Sequence, residues 1–135
     1  MKTMTNEIAL QFGLTAIEIV KKKTLNPVRI RVVLDGDVVF QYMMEGKKGD
    51  EWLNRKQRTV ERTHRSSLDV FNHSYDYKEL LDDHRYAVWG GGYPIIIDGV
   101  YRGTFIISGL EHTQDHQLIV DALKEMEENK WNLRF

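Results

Sequence analysis

Two Asp-Gly dipeptides constrain the fold of this chain more than any other feature. Asp35-Gly36 lies inside a region of strand character over 28–43, and Asp98-Gly99 lies inside a second one over 95–108. An Asp-Gly dipeptide between two such segments is a strong signal for a tight β-hairpin. Two separate hairpins predict a mainly antiparallel sheet. They argue against the parallel nucleotide-binding fold, whose strands alternate with crossover helices.

Helical patterns flank both hairpins. Apolar residues at helical spacing predict a first helix over 6–23, a middle helix over 50–67 and a last helix over 113–129. In the first helix we expect the buried stripe to consist of Leu10, Leu14, Ile17 and Val20. The region 76–89 is partly helical at best. This order predicts a single α+β domain over 1–135, with helices packed against the antiparallel sheet.

Composition restricts the chemistry that the chain can perform. The 135 residues include no cysteine, which excludes disulfides, thiolate metal sites and a cysteine nucleophile. The net charge of −1 gives no global attraction for nucleic acid or an anionic membrane. No apolar run approaches membrane-spanning length, and the polar first residues do not resemble a secretory signal. We therefore expect a cytoplasmic protein that binds neither nucleic acid nor membranes.

The middle helix has two contrasting faces. On a helical wheel, one narrow stripe is formed by Arg55, Arg58, Arg62 and Arg65. The opposite face is only half apolar, and it carries Trp52, Leu53, Lys56, Thr59, Val60, Thr63 and Ser67. A helix that packs simply on a core shows leucines and valines instead. The inner face is therefore predicted to line a cavity or an interface.

Lys56 and the triplet Gly90-Gly91-Gly92 are the principal candidates on the inner side. A lysine in the middle of a half-buried face must extend to water or meet an anion, which is a ligand carboxylate or an acidic residue of this chain or its neighbour. Three glycines let backbone N–H groups approach a ligand, or they allow a tight passage beside Trp89 and Tyr93. We expect Lys56 and Trp52 to face this glycine bend.

The histidines offer weaker signals. His64 is a candidate for ligand binding, and a hydrogen-bonded packing role is the simpler alternative. His112 and His116 share a helix face with Asp115 nearby, but no third ligand has metal-site spacing, so no metal site is predicted. His112 is expected to precede the regular helix, and Asp115 to be favoured by the helix dipole. Ser66, Ser67 and Ser108 lack the strand–turn–helix context of a hydrolase nucleophile.

The arginine stripe has three interpretations. It can hold phosphates or carboxylates, it can pair with the acidic last helix of another subunit, or it can be a solvated face. We favour the oligomer contact. The tail residues Trp131, Leu133 and Phe135 alternate like a short strand, and we expect them to dock on the sheet or on a neighbouring subunit.

Several motifs together resemble the haem-degrading-domain family, the superfamily of the GlcG and HbpS-like proteins, and most closely its small cytosolic members. The similarity covers nearly the whole chain. It rests on motifs in the middle helix, on Gly90-Gly91-Gly92-Tyr93-Pro94-Ile95, and on Ser108-Gly109-Leu110 followed by Asp115-His116. The resemblance implies a profilin-like or PAS-like antiparallel sheet of about five strands with flanking helices. It also implies dimers or larger rings, and in some relatives haem binding or breakdown.

Two functions follow as hypotheses. In the first, an oligomeric domain binds haem or another small anionic ligand through Trp52, Lys56, His64 and the glycines 90–92. In the second, a structural or adaptor protein uses its arginine-rich helix and apolar tail to assemble and to dock a partner. Catalysis is a third hypothesis and is ranked last, since no acid–base pair has convincing spacing.

Overall fold

A computed structural model describes residues 3–129. Residues 3–129 form five α-helices and four strands. They are α1 (Asn6–Lys22), β1 (Arg29–Leu34), β2 (Asp37–Met43), α2 (Glu51–Thr63), α3 (Ser67–Asn72), α4 (Lys78–Leu81), β3 (Gly92–Ile97), β4 (Val100–Ser108) and α5 (His112–Glu128).

The four strands form one antiparallel sheet in the order β2-β1-β4-β3. Asp35, Gly36, Asp98 and Gly99 all have positive φ, as tight hairpin turns of this kind require. The prediction of two Asp-Gly hairpins in an antiparallel α+β domain is therefore confirmed. The described residues form four strands rather than about five, and the tail that was expected to form a strand lies outside them.

Helices cover both faces of the sheet. On one face α1 and α5 bury a large core that includes Ile30, Val32 and Leu34 of β1. On the other face α2 packs Leu53 against Val33 and Ile106. Because the sheet is covered on both sides, the alternation in β1 separates two interiors rather than an interior from water.

The buried stripe of α1 was predicted only in part. Val20 is buried and Ile17 is partly buried against the core, whereas Leu10 and Leu14 are exposed. The helix buries Ile8, Ala9, Phe12, Gly13, Ala16, Ile19 and Val20. The small residues let α1 approach the sheet closely, so that Phe12 packs on Phe105 with ring centroids 4.4 Å apart. In α5 the apolar residues at helical spacing, namely Leu118, Ile119, Ala122, Leu123 and Met126, are all buried.

The middle helix is shorter than predicted, because the chain bends after Thr63. His64, which follows α2, has left-handed backbone geometry with φ of 56°. Ser66 then caps α3 by accepting a hydrogen bond from the N–H of Asp69. Asp50 precedes α2 but makes no side-chain cap, because its carboxylate binds Arg31 and Asn54. No helix within residues 3–129 is long and apolar enough to cross a membrane.

Candidate functional site

A buried ion pair joins α2 to α5. The Lys56 Nζ atom lies 3.0 Å from Asp115 Oδ2 and 3.0 Å from the backbone oxygen of Ile107 on β4. The side chains are only 4% and 2% exposed, respectively. Asp115 Oδ1 accepts a hydrogen bond from the N–H of Leu110, at 2.9 Å. Each charged group therefore has an opposite charge and a further backbone partner, as burial demands.

This pair resolves the alternatives that the sequence left open for Lys56. The amine faces inward, as predicted, and its anion is an aspartate of the same chain. Burial lowers the pKa of the Lys56 amine and raises the pKa of the Asp115 carboxyl group, because the protein interior solvates charge less well than water. The attraction between the two groups opposes both changes.

The glycine bend passes directly beside the pair. Gly91 has φ of +123°, and a Cβ atom at this position would come within 2.5 Å of Lys56 Nζ. The Gly90 N–H donates to His112 Nδ1, and the Gly92 N–H donates to Ser67 Oγ. The tight-passage interpretation therefore holds for this bend, and these two N–H groups are used within the chain.

A hollow of about 400 Å³ lies next to the pair, where β1 begins and β4 ends. Its wall combines two indoles, three cationic or imidazole side chains, a carboxylate, a hydroxyl and the loop that enters α5. The lining residues are Arg29, Trp52, Lys56, Trp89, Ser108, Gly109, Leu110, His112 and Asp115. A mostly apolar wall with a few polar groups is typical of small-molecule sites.

Arg29 supplies the hollow with a charge that no carboxylate neutralises within residues 3–129. It lies on β1 opposite Ser108 of β4, and one terminal nitrogen donates to the backbone oxygen of Lys48. Its Nε atom is buried and has no hydrogen-bond partner in the described part of the chain. The guanidinium therefore brings to the wall of the hollow a positive charge that a ligand anion can neutralise.

Arginines of the α2 stripe hold in place the segment that carries Trp89, one of the two indoles of the hollow. Arg55 donates twice to the backbone oxygen of Tyr86, and Arg58 donates to the backbone oxygen of Arg85. Thr59 Oγ1 lies 2.8 Å from the backbone oxygen of Ala87 and also accepts from its N–H. These bonds attach the segment that leads to Trp89 to α2.

The two indoles then meet at the hollow. Trp52 and Trp89 lie edge to face with ring centroids 6.1 Å apart, and each is 40% exposed. The Arg55 guanidinium stacks 4.5 Å from the Trp52 ring, which restricts its orientation. Trp52 therefore forms a wall of the hollow rather than part of the core.

The start of α5 differs from the prediction. His112 is the first residue of the helix rather than a residue before it, and its ring packs on Phe71. His116 lies one turn later, and burial lowers its pKa. Within residues 3–129 no group of three or more potential ligands is arranged to hold a metal ion.

Several predicted site residues lie elsewhere. His64 stacks on Tyr101 with ring centroids 4.4 Å apart, and it does not line the hollow. Gly90, Gly91 and Gly92 lie behind Lys56 and are not part of the lining either. Sequence reasoning missed Arg29 and Trp89. The only signals were an arginine that faces away from Ile30 and Val32 of β1 and a tryptophan that precedes three glycines.

Of the residues predicted to form an oligomer interface, Arg62 donates to the Tyr86 hydroxyl, and Arg65 pairs with Asp69. Trp131 and Phe135 lie outside the described residues. The interface therefore stays a prediction.

Comparison with known proteins identifies the family. The model of the family "Haem degrading protein HbpS-like" matches residues 4–124. A UPF0303 protein of Streptomyces avermitilis is 31% identical over 137 aligned positions, which cover 95% of this chain and 83% of the relative. The chain therefore belongs to the HbpS-like haem-degrading protein family, as the resemblance implied.

Solved structures agree with the fold. The crystal structure of Ybr137w protein matches with a TM-score of 0.85 and 26% identity, covering 96% of this chain and 82% of that one. The crystal structure of a PduOC:haem complex matches with a TM-score of 0.72 and 20% identity, covering 90% and 93% of the two chains. At that identity the second match supports the fold alone.

The Lys56–Asp115 pair makes a testable prediction about stability. Lys56→Met and Asp115→Asn each leave one buried group without its partner, so each is expected to lower the free energy of unfolding by about 3–5 kcal/mol. The double variant should lose less than the sum, with a coupling energy of about 1–3 kcal/mol from urea denaturation.

The exposed pair Arg65–Asp69 is the matched control. Its side chains are 52% and 40% exposed, so its coupling energy in the same cycle should stay near 0.3–0.5 kcal/mol, as is typical on helix surfaces. Equal coupling energies for the two pairs would contradict the role given to the buried one.

Proposed function

We propose that this chain binds a planar, carboxylate-bearing ligand of the haem type in the hollow between Trp52 and Trp89. Membership in the HbpS-like family supports a haem-binding type of domain. A protein of similar fold has been crystallised as a haem complex. The choice of this hollow and of its residues rests on the side chains of this chain.

The observation that carries the proposal is the Arg29 guanidinium in the wall of the hollow, whose charge no carboxylate neutralises within residues 3–129. A guanidinium group binds a carboxylate through charge-assisted hydrogen bonds in a planar geometry. A ligand carboxylate in the hollow would neutralise this charge. We therefore assign the anion contact to Arg29.

Lys56 has a different task in this proposal. Its amine already binds Asp115 and the Ile107 backbone oxygen, so it has no free charge to offer to a ligand. It forms the rigid floor of the hollow next to the ligand. His64 and the glycines 90–92 are left out of the proposed ligand contacts because they do not line the hollow.

The ligand ring would lie against the indoles. Trp52 and Trp89 offer flat apolar surface, and each keeps an accessible part that a ring can cover. Haem has both features that this wall recognises, a planar ring and carboxylates. Trp52, Trp89 and Arg29 fit these two parts of haem, and they would hold it by stacking and by an ion pair.

Replacement of Arg29 tests the site. Arg29→Gln removes the charge but keeps a polar side chain, so the affinity for haem should fall about tenfold or more, the value of one hydrogen bond to a charged group. Absorption in the Soret region during titration measures the dissociation constant.

Arg102→Gln is the matched control, because Arg102 pairs with Asp35 at the opposite end of β4. It should leave the haem affinity unchanged. An unaltered Soret band with the unmodified protein at micromolar haem would refute the proposed function, and equal affinities of all three proteins would remove Arg29 from it.

We further propose that copies of the chain assemble through the arginine stripe. Arg55, Arg58 and Arg62 bind only backbone oxygens or a hydroxyl group among residues 3–129, so their charges have no carboxylate partner there. Glu127 and Glu128 at the end of α5 are exposed and negatively charged. Charge complementarity of this kind favours a contact between copies that is sensitive to salt.

Light scattering at low and high salt tests the assembly. We expect a mass of at least two protomers at low salt, and a lower mass both at high salt and in the variant Arg58→Gln/Arg62→Gln. A single-protomer mass at every protein and salt concentration would rule out the assembly.

A further inference from the structure

The only imidazole in the described wall of the hollow is that of His112, and its orientation is fixed from one side. The backbone N–H of Gly90 donates to His112 Nδ1 at 3.1 Å. Phe71 packs on the ring with centroids 4.6 Å apart, and His112 Nε2 lies 3.7 Å from Glu111 Oε1. Nδ1 is therefore the acceptor nitrogen of this ring.

This hydrogen bond determines where the ring proton lies. A nitrogen that accepts a hydrogen bond carries no proton, so in the neutral ring the proton lies on Nε2. Histidines that coordinate metals usually show the reverse arrangement, in which one nitrogen donates to a carbonyl or carboxylate and the other binds the metal. In this tautomer the Nε2 lone pair is not available to iron, and Nε2 is a hydrogen-bond donor.

The other groups in the wall do not replace His112 as an iron ligand. The Lys56 amine and the Asp115 carboxylate are bound to each other. Among residues 3–129, no methionine or tyrosine lines the hollow, and the chain has no cysteine. Methionine, tyrosine, cysteine and histidine are the usual protein ligands of haem iron.

We infer that the hollow recognises the ring and a carboxylate of its ligand and does not coordinate a metal, so that it takes iron-free planar tetrapyrroles as well as haem. This inference rests on the proposed function. Trp52 and Trp89 contact the ring and Arg29 binds a carboxylate, whereas His112 presents the Nε2 proton rather than a lone pair to the hollow. None of these contacts depends on iron.

Parallel titrations test the inference. The unmodified protein is titrated with haem, with iron-free protoporphyrin and with the dimethyl ester of that porphyrin. The dissociation constants of haem and iron-free protoporphyrin should agree within about threefold, less than the value of one charged hydrogen bond. The ester lacks free carboxylates and should bind about tenfold or more weakly.

The spin state of bound ferric haem provides a readout that affinity alone does not give. Its absorption and electron paramagnetic resonance spectra should be the same in the unmodified protein and in His112→Gln. An unchanged affinity of His112→Gln for iron-free protoporphyrin would show that the hollow keeps its structure in this variant.

The outcomes separate the two proposals. Haem that binds about tenfold or more tightly than iron-free porphyrin, with a spectrum that changes in His112→Gln, would overturn the inference while the proposed function stands. Binding of neither porphyrin would overturn the proposed function and this inference with it. Similar affinities for both, weakened by esterification, would support both.

Discussion

The Lys56–Asp115 ion pair is the constraint on which the other features of the site depend. It connects the middle of α2 to the first turns of α5, and the Lys56 amine also binds the end of β4 through Ile107. Desolvation offsets much of the attraction between two buried charges, so such a pair adds less to stability than its short distance suggests. Its main contribution is directional, because each partner accepts only a narrow range of positions for the other.

The geometry around the pair follows from this constraint. Gly91 must be a glycine because a Cβ atom would collide with Lys56 Nζ and with the Ile107 backbone oxygen. The Gly90 N–H is thereby directed at His112, which starts α5 at the edge of the hollow. Arg55 and Thr59 of the same helix hold the segment that ends in Trp89. One helix thus places two walls of the same hollow.

Much of the architecture could be predicted from the sequence because local chemistry determines it. The Asp-Gly turns predict the hairpins, the apolar spacing of α5 predicts its inward face, and the amine in a half-apolar stripe leaves Lys56 two alternatives, an anion or water. The stripe of α1 was predicted only in part, because two faces of this helix are apolar. The close fit of Gly13 beneath Phe40, which only the tertiary structure reveals, selects between them.

The candidate site was harder to predict than the fold. Lys56 and Trp52 were found through helical periodicity, whereas Arg29 and Trp89 approach them from residues that are distant in sequence. The orientation of His112 depends on a hydrogen bond from a glycine 22 residues away, which no sequence pattern reveals. His64 was misplaced for a local reason, since α2 ends just before that residue and the His64 ring turns to Tyr101. Contacts between distant segments decide the positions of Arg29, Trp89 and His112.

A crystal structure of the protein bound to iron-free protoporphyrin tests the central claim most directly. The account predicts a ring held against Trp52 and Trp89, a carboxylate at the guanidinium group of Arg29, and a Lys56–Asp115 pair that remains intact beneath the ligand. A porphyrin bound elsewhere on the molecule, or a Lys56 amine released from Asp115 and turned toward the ligand, would contradict it.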